Sequence, residues 1–233
     1  MSKITIASMV AASIGVVASA DVVTMKFVGT GAGQNVKWRY NGGSEQSTFA
    51  GQLRHSITSG TGVGADWVGE HNLYCTDIFQ YVTTSFKTFD IVSADLAPTS
   101  SPMGAARAQA LYDVFSVFTD SALITGIGNE FAAAFQIAVW EIVTDFDGGI
   151  GRSSLNVDSG KFKVTKVNGS SSRTSTFNAH LNDIFDAIGA NAKPNVVALT
   201  NGGAQDQLFY VPAPGPIALA GAGMFMLARR RRA

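Results

Sequence analysis

With a single cysteine in 233 residues, the chain has no internal disulfide. It also lacks a nucleotide-binding loop, an internal repeat and any apolar run of the roughly twenty residues that a membrane-crossing helix needs. Charge is sparse: Asp, Glu, Lys and Arg make up 15% of the residues against 46% hydrophobic ones, a balance too apolar for disorder. The length suffices for one sizeable core or two small ones. Metal-ligand spacing is missing as well. Asp145-x-Asp147-Gly148-Gly149 has two acidic positions of a calcium loop without the other ligands or the closing Glu, so it reads as a turn, and neither a metal nor a cofactor is expected.

Both ends read as addresses. In residues 1–20, Lys3 supplies a basic start, residues 4–17 an apolar stretch and Ala18-Ser19-Ala20 a small-residue cleavage site, the pattern of a secretory signal peptide. In residues 211–233, Val211-Pro212-Ala213-Pro214-Gly215 precedes an apolar run of 13 residues and then Arg229, Arg230, Arg231 and Arg232. That run is short for a span, so it predicts a marginal, transient membrane anchor with its arginines on the cytoplasmic side. Lys3 and the four tail arginines are five of the 17 basic residues; without them 12 basic stand against 17 acidic, which argues against a nucleic-acid partner. The body, residues 21–210, is expected at the cell surface or in the extracellular matrix.

Within the body, residues 22–49 read as strands separated by turns, Asn41-Gly42-Gly43-Ser44 as one such turn, and residues 47–53 as another strand. Residues 73–89, dense in Phe, Tyr, Val, Ile and Thr, predict one extended stretch beginning near Cys75. Helical spacing follows in residues 104–118 and again from Asn129, a good N-cap, to just before Gly148. A third helix is expected over 177–188, closing strands over 196–199 and 207–211, and a hairpin turn at Asn168-Gly169. The expectation is an α+β fold in which an antiparallel β-sandwich or barrel-like portion packs with a helical portion.

The lone thiol of an exported protein is inert and buried, intermolecular, or chemically used. Cys75 lies in Leu73-Tyr74-Cys75-Thr76-Asp77, and the second helix carries Phe135-Gln136-Ile137-Ala138-Val139-Trp140-Glu141. That helix is apolar almost all round, so Gln136 is a buried polar group that needs a partner. Three readings compete: a core Gln bonded to backbone groups, acylation of Cys75 by the Gln136 side chain with Trp140 as a hydrophobic shield, and a Cys-based enzyme using His55, His71 or His180. No local cysteine-protease signature supports the last.

The Tyr74-Cys75 step and the Gln136-x-x-x-Trp140-Glu141 step together resemble the thioester domain of bacterial surface adhesins, over roughly residues 49–208. Ala110-Leu111-Tyr112-Asp113 and Gln205-Asp206-Gln207 are similar to relatives of this kind. The tail, with Pro212 and Pro214 flanking Ala213 where the pattern has Glu, resembles the PEP-CTERM sorting signal read by an exosortase. The resemblance implies an internal thioester between Cys75 and Gln136, surrounded by Tyr74, Trp140 and Glu141. It also implies single-turnover attachment to surface amines or hydroxyls, on protein Lys or polysaccharide, with no catalytic residue in the enzymatic sense. The alternative is a structural exopolysaccharide or biofilm-matrix protein in which Cys75 and Gln136 are core residues only.

Overall fold

The computed structural model describes residues 21–123 and 126–211. The expected signal peptide, residues 1–20, and the sorting residues Pro212, Pro214, Arg229, Arg230, Arg231 and Arg232 lie outside the described residues. Among these the fold is α+β. Seven strands, β1 (Val22–Tyr40), β2 (Gln46–Gly60), β3 (Gly69–Cys75), β4 (Lys87–Ser93), β5 (Phe162–Val167), β6 (Val196–Asn201) and β7 (Ala204–Tyr210), form one antiparallel sheet. Three helices accompany it: α1 (Ala105–Leu123), α2 (Asn129–Asp145) and α3 (Ser175–Asp186).

The strand order is β2-β3-β7-β6-β4-β1-β5, and β2 also pairs with β1, so the hydrogen-bond circuit returns to its start through six strands. β1 makes this possible by its length. Its first residues pair with β4 (Val22 to Met25), its last with β5 (Val36 to Tyr40), and nearly all of it with β2.

The strands expected across residues 22–49 are present as β1 and the start of β2 with the Asn41-Gly42 turn between them, corrected only in that β1 runs unbroken through 19 residues. Its glycines are bulges rather than turns: the β1–β2 register shifts between Phe27 and Gly29 and between Thr30 and Gly33. At Gly33 a Cβ would collide with the Ala50 carbonyl and the Phe49 ring, and at φ +156° few other residues would serve. The single extended stretch over 73–89 is also corrected. β3 ends at Cys75, residues 76–86 are irregular, and β4 starts at Lys87.

The two sides of the sheet bury separate clusters. Pairing of Tyr74 with Leu208 and of Leu208 with Ala198 puts these three on the side facing the helices. Leu73, Phe209, Leu199 and Phe89 lie on the other side with Val23, Met25 and Ile57. α2 carries the larger cluster, buried at every position from Ala132 to Val143.

Its ends are fixed by polar contacts. Asn129 is the first helical residue instead of the N-cap, which is Gly128, and Asn129 Oδ1 accepts from the Gly33 N–H at 3.2 Å, tying the helix start to the β1 bulge. At the other end Arg107 donates to the Thr144 and Phe146 carbonyls, a cation on the negative end of the helix. The Asp145 carboxylate accepts the Lys161 and Phe162 N–H groups as β5 begins. α3 is capped by Thr174, whose hydroxyl accepts from the Phe177 N–H. Asn168 and Gly169, both at positive φ, make the expected tight turn, closed by a single Val167–Ser170 bridge.

Candidate functional site

The site arises where a ladder stops short. β2 and β3 pair from Ile57–Gly69 to Leu53–Leu73, and the pairing ends two residues before Cys75. On its other edge β3 continues along β7, with Cys75 opposite Gln207 and the Thr76 N–H donating to the Asp206 carbonyl. The Cys75 backbone groups therefore have no strand partner on the β2 side, and buried groups of that kind must find one.

Gln136 supplies it. The Cys75 N–H donates to Gln136 Oε1 at 3.0 Å, and Gln136 Nε2 donates to the Cys75 carbonyl at 2.8 Å. The primary amide thus acts as a substitute peptide group at the edge of β3. Both residues are buried, Gln136 completely. One turn further along α2, Trp140 Nε1 donates to Cys75 Sγ at 3.2 Å. Tyr74 packs its ring 4.8 Å from that of Phe135, and burial pushes its hydroxyl pKa up.

Sulfur in this position keeps its proton. Burial pushes the Cys75 thiol up to about 12, against the lowering effect of the Trp140 N–H, while the charge of Asp77 raises it further. Asp77 itself is held by the Phe79 N–H and the Ser100 hydroxyl. Glu141, next to Trp140, serves elsewhere: its Oε1 accepts from the Asn156 N–H at 2.7 Å, and its Oε2 is buried without a partner. Burial raises its pKa to about 8.

None of the three histidines lies at the thiol. His55 Nδ1 is 3.2 Å from the Leu53 carbonyl, with burial lowering its pKa to about 4; His71 Nε2 is 2.8 Å from the Trp67 carbonyl; and His180 meets the Phe131 ring. A Cys–His pair for nucleophilic catalysis is absent among the described residues. So is any group of three or more His, Cys, Asp and Glu side chains able to hold a metal ion.

Cys75 and Trp140 form part of the wall of a cavity of about 430 Å³, in the range of small-molecule sites. Its other walls come from β1, β2 and the 76–86 segment, including Trp38, Tyr40, Phe49, Phe79 and Tyr81. The ring of Phe79 stands edge-on to Tyr40 at 5.1 Å and to Trp38 at 6.0 Å. Gln205 anchors the segment by donating to the Asp77 and Gln80 carbonyls, and the Phe27 N–H reaches the Thr83 carbonyl.

Sequence reasoning missed these wall residues. The signal for them is the aromatic density of residues 79–86, which fits strand propensity equally well. The two outlying motifs turn out to be scaffolding. Asp113 accepts from Gln109 Nε2 and the Gly189 and Ala192 N–H groups, and Asp206 from Thr99 and the Asn201 N–H.

No protein-family model, curated protein or solved structure matches the chain.

Proposed function

We propose that the chain forms an internal thioester between Cys75 Sγ and the side-chain carbonyl carbon of Gln136, and that this bond attaches it covalently, once, to an amine or hydroxyl on a partner surface. The observation that carries the reading is the pairing of the Gln136 amide with the N–H and C=O of Cys75 itself, at 3.0 and 2.8 Å, beneath a Trp140 N–H aimed at the sulfur.

The step balances without an outside reagent. Sγ bonds to the Gln136 carbonyl carbon, the bond to Nε2 breaks, and the thiol proton leaves with Nε2 as ammonia. As charge develops on Oε1 it already faces the Cys75 N–H, a preorganised donor in a water-poor site. The Trp140 N–H steadies the sulfur, both when it attacks and when it later departs. A sulfur leaving group then makes the acyl carbon open to amines, which an oxygen ester would be to a lesser degree.

In this reading the closed strand circuit is the barrel-like portion, and α2 is the helical portion that carries the Gln motif to it. Exported through its signal peptide and released by an exosortase-type enzyme after transient membrane contact, the body acts as an adhesin-like surface or matrix protein. It performs single-turnover capture rather than enzymatic turnover. The structural-matrix reading has one observation in its favour: with Gln136 unreacted, its amide oxygen and nitrogen are both already hydrogen-bonded.

Intact mass of the freshly purified mature body, with and without methylamine, separates the two. A mass short by one ammonia, replaced on methylamine addition by an adduct and a free Cys75 thiol, is expected. An unmodified mass in fresh protein would overturn the thioester.

A further inference from the structure

The cavity beside Cys75 carries more chemistry than acyl transfer requires. Among the described residues no Lys, Arg, His, Asp or Glu lines it. Hydroxyl and amide groups of Ser44, Gln46, Ser47, Thr48 and Gln80 share the wall with the rings of Tyr40, Phe49, Phe79 and Tyr81, and Gln46 Nε2 donates to the Ser44 hydroxyl at 3.1 Å. Two lining residues also hold buried polar atoms with no partner in the protein, a donor at Trp38 Nε1 and an acceptor at Gln80 Oε1. Trp38 is only 5% exposed, so that donor is not left to bulk water.

We propose that this cavity receives a saccharide unit bearing a free amine, an inference that rests on the thioester reading and names its partner. A sugar ring presents hydroxyls around its edge and C–H groups on its faces, which suits neutral polar groups interleaved with aromatic rings. A lysine side chain offers four methylenes instead, with no hydroxyl to meet the polar part of the wall, which is a basis for discrimination.

The amine follows from two further observations. Among the described residues no general base lines the cavity; a neutral amine is nucleophilic enough to add to a thioester before it loses its proton, whereas a sugar hydroxyl needs its proton taken as it attacks. Thioester formation also removes Nε2, the donor to the Cys75 carbonyl. An amine product puts an N–H back at that position, and an ester product does not. In the transfer the amine nitrogen bonds to the Gln136 carbonyl carbon, the bond to Sγ breaks, and an amine proton passes to the sulfur, leaving an amide and a free thiol.

The test exposes fresh mature protein to chitotriose, to its fully N-acetylated form and to Nα-acetyl-lysine methylamide, following adducts by intact mass. Chitotriose is expected to give a hydroxylamine-resistant adduct at a rate that saturates with concentration and exceeds the lysine compound at least roughly tenfold. The N-acetylated trimer should slow that reaction without forming an adduct. Tyr81, 87% exposed, can be replaced without disturbing the core; Tyr81→Ala should lower the chitotriose rate, relative to methylamine on the same variant, by roughly three- to tenfold.

A lysine rate equal to or above that of chitotriose, or a chitotriose rate that never saturates, overturns the inference. If no ammonia-deficient mass exists, the thioester reading fails on its own, and tryptophan fluorescence of Cys75→Ala titrated with chitotriose decides the saccharide site. A saturating change supports recognition there, and a flat titration overturns it.

Discussion

The two sides of the sheet are equally dry but differently made. The side bearing Val23, Met25, Ile57, Leu73, Phe89, Leu199 and Phe209 is mostly apolar, with Gln207 the polar residue that register buries beside Leu199. The helix-covered side admits Gln136, Glu141 and Asp113 among its apolar residues, and hydrogen bonds meet their polar atoms apart from Glu141 Oε2. Cys75 lies at the junction. By register it shares the side of Leu73 and Gln207, yet it is the last residue of β3, where the end of the β2 ladder lets α2 reach it. Packing alone can build the first kind of region. The second kind spends polar groups where apolar ones would be safer, and it is there that reactive chemistry is concentrated.

The sharpest way to break this contrast is Gln136→Ala. It strands a buried N–H and a buried C=O at Cys75 and leaves a cavity, so a loss of about 4 kcal/mol is expected, together with any ammonia-deficient mass. Chemical denaturation and intact mass read the two effects separately. Cys75→Ala should remove the same mass signature while costing only about 1 kcal/mol beyond the cross-link that both variants lose, because the Gln136 amide it restores bonds to the backbone and not to the thiol. Equal destabilisation by the two would contradict the clasp.

On the apolar side, Leu199→Ala should cost about 3 kcal/mol through the cavity it leaves, with methylamine reactivity of the folded protein unchanged. A large change in reactivity would mean that the two sides are not independent.

Glu141 sharpens the comparison through pH. Its carboxyl is raised from 4.5 to about 8 when folded, so the folded state binds more protons across that range and stability falls as pH rises through it. His55 acts in the opposite sense: lowered from 6.5 to about 4, it makes stability rise with pH between those values. Between pH 6.5 and 8 only the Glu141 effect remains of the two, and Glu141→Gln should flatten the decline there in thermal melts at a series of pH values.

The smallest expected effect is Trp140→Phe. It keeps most of the packing but removes the donor to Sγ, at a cost of about 1 kcal/mol, and should change the methylamine rate through the sulfur rather than through the fold.

Much of this was legible in the sequence, for reasons that differ by element. α2 and α3 declare themselves through apolar spacing and end close to their expected bounds. The turn at Asn41-Gly42 is legible because both residues take positive φ. The unbroken length of β1 is not legible, because glycine marks a bulge as readily as a turn and only the pairing with β2 tells them apart. Residues 76–86 are not legible as irregular, because Phe79 and Tyr81, which suit a strand, here line a cavity instead.

Cys75 and Gln136 were singled out through resemblance and through the oddity of a polar residue on an all-apolar helix. Their hydrogen-bonded clasp was not legible. It depends on where the β2–β3 ladder stops, which is a matter of register between strands and not of local sequence.

The length of β1 carries a consequence for motion. With neighbours on both edges at both of its ends, β1 cannot open at one end without disturbing a ladder that runs its whole span. Its amide protons should be among the slowest in the molecule to exchange with deuterium, and those of residues 76–86, held by a few isolated bonds, among the fastest. Breathing of the cavity would then be a property of one wall, moving against a frame that stays still.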